Sequence, residues 1–247
     1  MAVRSPNAPS VRASVPAVSI IVPTLNEERS IATLLSDVRR LGVPHEVIVV
    51  DGGSSDDTVV VSARLGARVL RTRRGRGVQL AFGAQAARAP VLCFLHADVR
   101  LGPHARDELA LVVRTRPAGA FAFRFGIDAR GWRYRFIELG TWLRVSLFTL
   151  PYGDQGLVVS RNEYDRAGGY PDLPLMEDVA LIEALRRVTT VRLLRSTLPV
   201  SARRWVRDGP LTRLRRNVRM MIAYRLGASP HELAQHYGPL GDRPSDG

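Results

Sequence analysis

Glu46-Val47-Ile48-Val49-Val50-Asp51-Gly52-Gly53-Ser54-Ser55-Asp56-Asp57-Thr58 constrains the fold of this chain more than any other stretch. Val47 to Val50 form an unbroken β-branched run, which suits a strand buried on both faces, the environment of a parallel sheet. The run stops at an acid followed by glycines and serines, and Asp56-Asp57-Thr58 then offers N-cap chemistry for a helix. Open α/β sheets bind ligands outside the carboxyl ends of their strands, so Asp51 is placed to face a ligand. The alternative is an acid that caps its own surface turn.

Val91-Leu92-Cys93-Phe94-Leu95 repeats the arrangement and ends in His96-Ala97-Asp98. If the strand continues, the His96 and Asp98 side chains point the same way. Both can ligate a divalent metal, and an open, oxygen-rich site suits Mg²⁺ or Mn²⁺ bridging to substrate phosphates. A satisfied surface pair is the plainer alternative.

Strand and helix signals alternate through the first half. Strands are expected at Val18–Val22, ended by Pro23, and at Val47–Val50, Arg68–Leu70 and Val91–Leu95. Ile31, Leu34, Leu35, Val38 and Leu41 have helical spacing, with Gly42 as the stop. Further helices are expected over Thr58–Leu65, stopped by Gly66, over Val78–Ala87 and over His104–Val113. Later strands are expected at Ala120–Phe125, Leu157–Ser160 and Val191–Leu194. This order predicts an α/β fold with a mostly parallel central sheet and helices on both faces.

The formal net charge of +13 comes with 36 basic residues, all of them arginine. The absence of lysine excludes Schiff-base chemistry and a P-loop lysine. Arg71, Arg73, Arg74 and Arg76 cluster in one loop, and Arg203, Arg204, Arg207, Arg213, Arg215, Arg216 and Arg219 cluster near the C-terminus. Such clusters suit phosphates, nucleic acid or an anionic membrane surface. No apolar stretch approaches the roughly 18–20 residues that span a bilayer, and Met1–Pro16 lacks a continuous apolar run of the secretory type. The one cysteine, Cys93, excludes an intramolecular disulfide and suits a small core residue in a reducing compartment.

Arg73-Arg74-Gly75-Arg76-Gly77 opens a helix, where backbone amides and guanidinium groups can hold a phosphate or a base carbonyl. It lacks the spacing of a dinucleotide fingerprint and follows the third strand, which disfavours a nicotinamide dehydrogenase. Downstream lie Gly153-Asp154-Gln155-Gly156, and Gly168-Gly169-Tyr170 leading to Met176-Glu177-Asp178-Val179. Glu177 and Asp178 open a helix with core-spaced Val179, Ile182, Leu185 and Val188. They read either as acids favoured by the helix dipole or as a general base at a cleft mouth.

Taken in order, Pro23-Thr24-Leu25-Asn26-Glu27-Glu28, Val50-Asp51-Gly52-Gly53-Ser54 with Asp56, Gly75-Arg76-Gly77, Asp98, and Gly168-Gly169-Tyr170 through Glu177-Asp178 resemble the motifs of family 2 glycosyltransferases of the GT-A fold. The resemblance covers roughly Val18 to Trp205. His96-Ala97-Asp98, Pro151-Tyr152-Gly153-Asp154-Gln155-Gly156, Leu175-Met176-Glu177-Asp178 and Ser201-Ala202-Arg203-Arg204-Trp205 are similar to a small bacterial subgroup of the arsenosugar-biosynthesis or radical-SAM/selenodomain-associated type. Related sequences bear a carotenoid-glycosyltransferase label.

The resemblance implies an inverting sugar transfer from a nucleotide-diphosphate donor, commonly UDP-linked. The donor would be held by Pro23, Asn26, Glu27, Asp51, Gly52, Arg76, Ala97 and Asp98, with Asp51 and Arg76 on the nucleotide. Asp98 corresponds to the last acid of the family's DxD motif and would hold Mg²⁺ or Mn²⁺. Asp178 would be the base, with Glu177 beside it. Gly153, Asp154, Gln155, Arg204 and Trp205 would hold acceptor or diphosphate.

Two departures matter. His96 stands where the family has the first acid, where it either ligates the metal or orients Asp98, and Ser201 replaces the Gln of QxxRW. The second, with no spanning segment, points to single-sugar transfer to a small or lipid-like acceptor rather than processive synthesis. The segment Trp132–Leu150 is either an acceptor wall or ordinary core packing.

The expected organisation is a disordered tail (1–17), a catalytic domain (18–205), a basic helical extension (206–238) and a second tail (239–247). In the extension, Leu214, Val218, Met221, Ile222 and Leu226 are expected to pack on the domain, with arginines outward toward anionic lipid. The expected location is cytoplasmic, or peripheral at the inner face of the membrane. A nucleotidyltransferase, a nucleic-acid-binding protein and an inactive scaffold are the alternatives. Strand-end acids would repel nucleic-acid phosphates in the absence of a metal.

Overall fold

The computed structural model describes residues 15–129, 131, 138, 155–201 and 209–237. Its elements are β1 (Val18–Thr24), α1 (Glu28–Val38), β2 (His45–Asp51), α2 (Thr58–Arg64), β3 (Arg68–Arg71), α3 (Arg76–Ala86), β4 (Val91–Phe94), α4 (Pro103–Thr115), β5 (Ala120–Asp128), β6 (Leu157–Ser160), α5 (Arg161–Arg166), α6 (Glu177–Val188), β7 (Val191–Ser201), α7 (Pro210–Arg225) and α8 (Pro230–Tyr237). The expected tails, apart from residues 15–17, and the Trp132–Leu150 wall, apart from Glu138, lie outside the described residues.

The strands form one sheet in the order β3-β2-β1-β4-β6-β5-β7. Pairing is parallel throughout except at β6, which runs antiparallel to both β4 and β5. Strand residues alternate between two cores, as the two-residue period requires. Ile20, Val22, Val49 and Cys93 join Ile31, Leu34 and Leu109 of α1 and α4 on one face. Ile21, Ile48, Val50, Leu92 and Phe94 join Leu80, Leu181 and Leu185 of α3 and α6 on the other. Strand order reverses at β1, whose neighbours β2 and β4 diverge, so the crevice beyond the carboxyl ends of β1 and β4 is the switch point where such sheets take ligands.

Three local expectations fail for identifiable reasons. Pro23 does not end β1, which continues to Thr24 paired with Asp51. The β1–β4 ladder stops at Ile21–Phe94, so the missing N–H of Pro23 faces the side where no strand needs it. Helix α1 ends at Val38, not at Gly42, because the turn at Arg39 and Arg40 drops Leu41, 6% exposed, into the core. Gly42 is not at positive φ, whereas Gly66 after α2 is, at +85°.

The third correction concerns α7. Met220, Met221, Ala223 and Tyr224 pack on Leu175, Met176, Val179 and Leu233. Val218, Ile222 and Leu226, expected inside, are 48%, 54% and 83% exposed. The buried side of the helix is set by where Leu175, Met176, Val179 and Leu233 lie, which spacing within α7 cannot reveal. Among the described residues no helix is long and apolar enough to cross a membrane.

Several carboxylates act as staples. Glu163 accepts from the Gly119 amide at 2.9 Å, the Ser160 hydroxyl at 2.8 Å and the Thr189 hydroxyl at 2.6 Å, tying β5, β6 and α6 together. Burial pushes its carboxyl up, but these donors outweigh burial and hold it below the usual range. The same balance holds Glu46, Asp56 and Glu108 below theirs. A carboxylate with a depressed native pKa contributes stability that is present above its unfolded pKa and lost as pH falls through the native one. Urea melts are therefore expected to show stability falling below about pH 4.5. Glu163→Gln should flatten that fall, and its melting curve should lie about 1–3 kcal/mol below wild type at neutral pH.

Candidate active site

Two loops at the carboxyl ends of β1 and β2 are laced together. Asn26 Oδ1 accepts from the Ser55 amide at 2.9 Å, and the Asn26 amide donates to the Ser54 hydroxyl at 2.9 Å. The Glu27 amide donates to Thr58 Oγ1 at 2.8 Å, and the Glu28 amide to Asp56 Oδ2 at 3.1 Å. Asn26 holds φ 54°, a left-handed conformation that Asn tolerates. Asp56, rather than Asp57, takes the first amide of α2, from Thr58 at 3.0 Å.

Asp51 is 1% exposed, and its carboxylate accepts from the amides of Gly53 and Ser54, each at 3.1 Å to Oδ2, and from the Ser54 hydroxyl. It therefore caps its own turn at the floor of the crevice. Gly52 adjoins it, and a Cβ there would lie 3.1 Å from the Gln79 amide group.

Gln79 carries a role that the sequence did not disclose. From α3 its amide donates to the Thr24 carbonyl at 2.9 Å and the Val50 carbonyl at 2.8 Å, locking the ends of β1 and β2. The available signal was a polar residue three positions after Arg76, on the helical face that continues to Gly83.

The chemistry is densest where α3 meets α6. Arg76, the first residue of α3, is ion-paired through Nε with Glu177 Oε1, and its Nη2 lies 3.8 Å from Asp178 Oδ2. A cation at a helix N-terminus opposes the dipole, so Arg76 draws its stabilisation from the two acids facing it. Burial pulls the guanidinium pKa down, but Glu177 and Asp178 outweigh it and hold the group firmly protonated. Burial pushes the Glu177 carboxyl up, and Arg76 limits the rise. Glycine makes this approach feasible, since a Cβ on Gly77 would sit 2.6 Å from the Pro171 carbonyl oxygen. Arg76, the residue expected on the nucleotide, stands against the two acids.

Met176 precedes these acids at φ 63° and is buried. Left-handed backbone at a non-glycine residue costs about 1–2 kcal/mol, and here it turns Glu177 inward and leaves Asp178 at the rim. The Glu177 side chain is 2% exposed and that of Asp178 13%. Asp178 Oδ1 accepts from the Val179 amide at 2.8 Å. Tyr170, packed edge-on against Phe94 at 5.0 Å, closes the inner wall.

β4 ends at Phe94, so His96-Ala97-Asp98 is a loop and not a strand extension. It is fixed by β7, which runs to Ser201 instead of Leu194: the Ser201 amide donates to the Asp98 carbonyl at 2.9 Å, and Val99 bridges Val200. His96 and Asp98 are half-buried, and Ala97 is buried. Among the described residues no three His, Cys, Asp or Glu side chains gather into a metal-binding group. Gln155 is 1% exposed and donates to the Phe123 carbonyl at 3.0 Å, inside the sheet layer. Gly153, Asp154, Arg204 and Trp205 lie outside the described residues.

The model of a family described as glycosyl transferase family 2 matches residues 19–164, more than half of the chain. An uncharacterized glycosyltransferase of Mycobacterium tuberculosis is 37% identical over 83 residues, 33% of this chain and 37% of that protein. Glucosyl-3-phosphoglycerate synthase of the same organism is 32% identical over 98 residues, 35% of this chain and 30% of that one. The chain thus spans about a third of the length of these curated relatives.

Among solved structures, the M. tuberculosis glucosyl-3-phosphoglycerate synthase with Mn²⁺, uridine diphosphate and phosphoglyceric acid superposes with TM-score 0.59 at 23% identity, over 87% of this chain and 80% of that one. S. aureus TarS with UDP gives 0.60 at 18% identity, over 74% and 60%. These likenesses show the GT-A fold expected from the sequence.

Proposed function

The chain belongs to glycosyl transferase family 2, and on that premise we propose that it moves a single sugar, with inversion, from a UDP-linked donor to a hydroxyl of a small or lipid-like acceptor. The observation that carries this reading is the acid pair at the start of α6, with Asp178 at the rim of the switch-point crevice and Glu177 buried against Arg76. Asp178 takes the acceptor hydroxyl proton while that oxygen attacks the anomeric carbon in line, and the bond to the diphosphate breaks on the opposite face. Inversion follows from that single displacement.

The ends of β1 and β2 and the laced loops that follow them, carrying Pro23, Asn26, Glu27, Asp51 and Gly52, hold the nucleotide, with Gln79 keeping their register. The Asp51 carboxylate, fixed by its turn, offers its remaining acceptor capacity to the base. Asp98, with His96, supports a divalent cation. Mg²⁺ is held by as few as one or two carboxylates when substrate phosphates complete its shell, so the Asp98 carboxylate is a sufficient protein anchor for it. Such an ion supplies neutralisation of the leaving diphosphate. Family membership weighs against the nucleotidyltransferase alternative. The boundary near residue 205, the basic extension after it and peripheral association with an anionic membrane at the cytoplasmic face belong to the same reading.

Calorimetry tests the donor site. UDP is expected to bind with Mn²⁺ or Mg²⁺ and to lose most of its affinity with EDTA. Asp98→Asn should weaken metal-dependent binding more than Asp51→Glu does. Metal-independent UDP binding by the wild-type protein would remove the role given to Asp98.

A further inference from the structure

Helix α7 presents an outer face that neither the sheet nor α6 uses. At about 100° per residue, Val218, Ile222 and Leu226 line up at i, i+4 and i+8, and they are 48%, 54% and 83% exposed. Arg215 and Arg219 are exposed on the same side, within about 60° of the stripe's centre on the same geometry. Arg225 flanks the other edge and reaches Glu183 at 3.7 Å. The opposite face, Met220, Ala223 and Tyr224, is the one packed on Leu175, Met176 and Val179. The helix is therefore anchored directly beside Glu177 and Asp178, with its aliphatic stripe in water.

We propose that the outer face of α7 is a docking surface for an anionic lipid bilayer, with Val218, Ile222 and Leu226 entering the headgroup boundary and Arg215 and Arg219 meeting lipid phosphates. The proposal deepens the lipid-like acceptor named above, and rests on that reading only for the purpose of docking: to bring a membrane-borne hydroxyl to Asp178. An aliphatic stripe bordered by arginines is the pattern of a helix lying in the interface plane. Charge selects the occupant. α7 carries arginines and no acid, so two copies placed stripe to stripe would face one another's guanidinium groups. A nucleic-acid backbone would satisfy the arginines and leave the aliphatic residues in water.

The experiment is sedimentation of the full chain with vesicles of phosphatidylcholine alone and with added phosphatidylglycerol, at low and high salt. Binding is expected only to the anionic vesicles and to weaken with salt. Each arginine near such a surface contributes about fivefold in affinity, so Arg215→Gln with Arg219→Gln should lose about 25-fold. Val218→Ser, Ile222→Ser and Leu226→Ser together should lose at least about tenfold. The substituted side chains are exposed, so thermal melts should stay near wild type.

Equal partitioning to neutral and anionic vesicles would overturn the proposal, as would serine variants that bind like wild type. A concentration-dependent dimer abolished by the serine substitutions, without vesicle binding, would assign the face to a second copy instead. Asp178→Asn serves as the separating control: it should bind vesicles like wild type whether or not the glycosyl-transfer reading survives.

Discussion

Asp178→Asn is expected to lower sugar transfer by about 10²–10⁴-fold, the usual cost of losing a general base, while UDP affinity and the melting temperature stay close to wild type. The substitution keeps the side chain's size and its oxygen acceptor toward the Val179 amide, 2.8 Å away. What it removes is the carboxylate that can take a proton. The geometry favours Asp178 over Glu177 because the Asp178 side chain is 13% exposed and 3.8 Å from Arg76, whereas that of Glu177 is 2% exposed and in direct contact with the guanidinium. Single-turnover assays with a UDP-sugar panel read the loss directly. Near-normal turnover in Asp178→Asn together with an inactive Glu177→Gln would move the base one residue back. Normal turnover in both variants would end the mechanism proposed here.

Arg76→Gln is expected to cost about 3 kcal/mol of stability at neutral pH, because it leaves the carboxylate of Glu177 buried without its cation. The sign of the pH dependence follows from burial, which already pushes the Glu177 carboxyl up. An acid whose native pKa is raised contributes stability below its unfolded pKa, and loses it as pH rises through the native one. The gap between Arg76→Gln and wild type should therefore be small near pH 4 and widen toward pH 7. Adding Glu177→Gln removes the stranded charge, so the double variant should regain most of the loss. Urea melts of all four proteins across pH measure this coupling. A double variant no more stable than Arg76→Gln would show that Arg76 serves something other than Glu177. A large drop in UDP affinity without loss of stability would place the role of Arg76 on the nucleotide rather than on Glu177.

What the sequence determined by itself is what neighbouring residues decide. The β-branched run Val47–Val50 became the buried strand β2 with Asp51 at its end, and the alternation of such runs with helical spacing specified a mostly parallel sheet covered on both faces. Glycines that needed positive φ, such as Gly66, marked their helix end, whereas Gly42, which needs none, misled. The order of motifs pointed to the family that the comparison then showed. These signals are local because side-chain period, β-branching and turn conformation act within a few residues.

Tertiary structure decided the partners. That Arg76 meets Glu177 depends on α3 and α6 converging across 101 residues, and Gly77 permits that approach without announcing it. The length of β7 depends on its pairing with β5 out to Asp128 and Ser201, and the anchoring of the Asp98 loop on the bridge from Val200 to Val99. The side of α7 left in water depends on where Leu175, Met176 and Val179 stand. A spacing rule states which residues share a face; only the packed neighbour determines which face is buried, because burial follows from contact between elements distant in sequence.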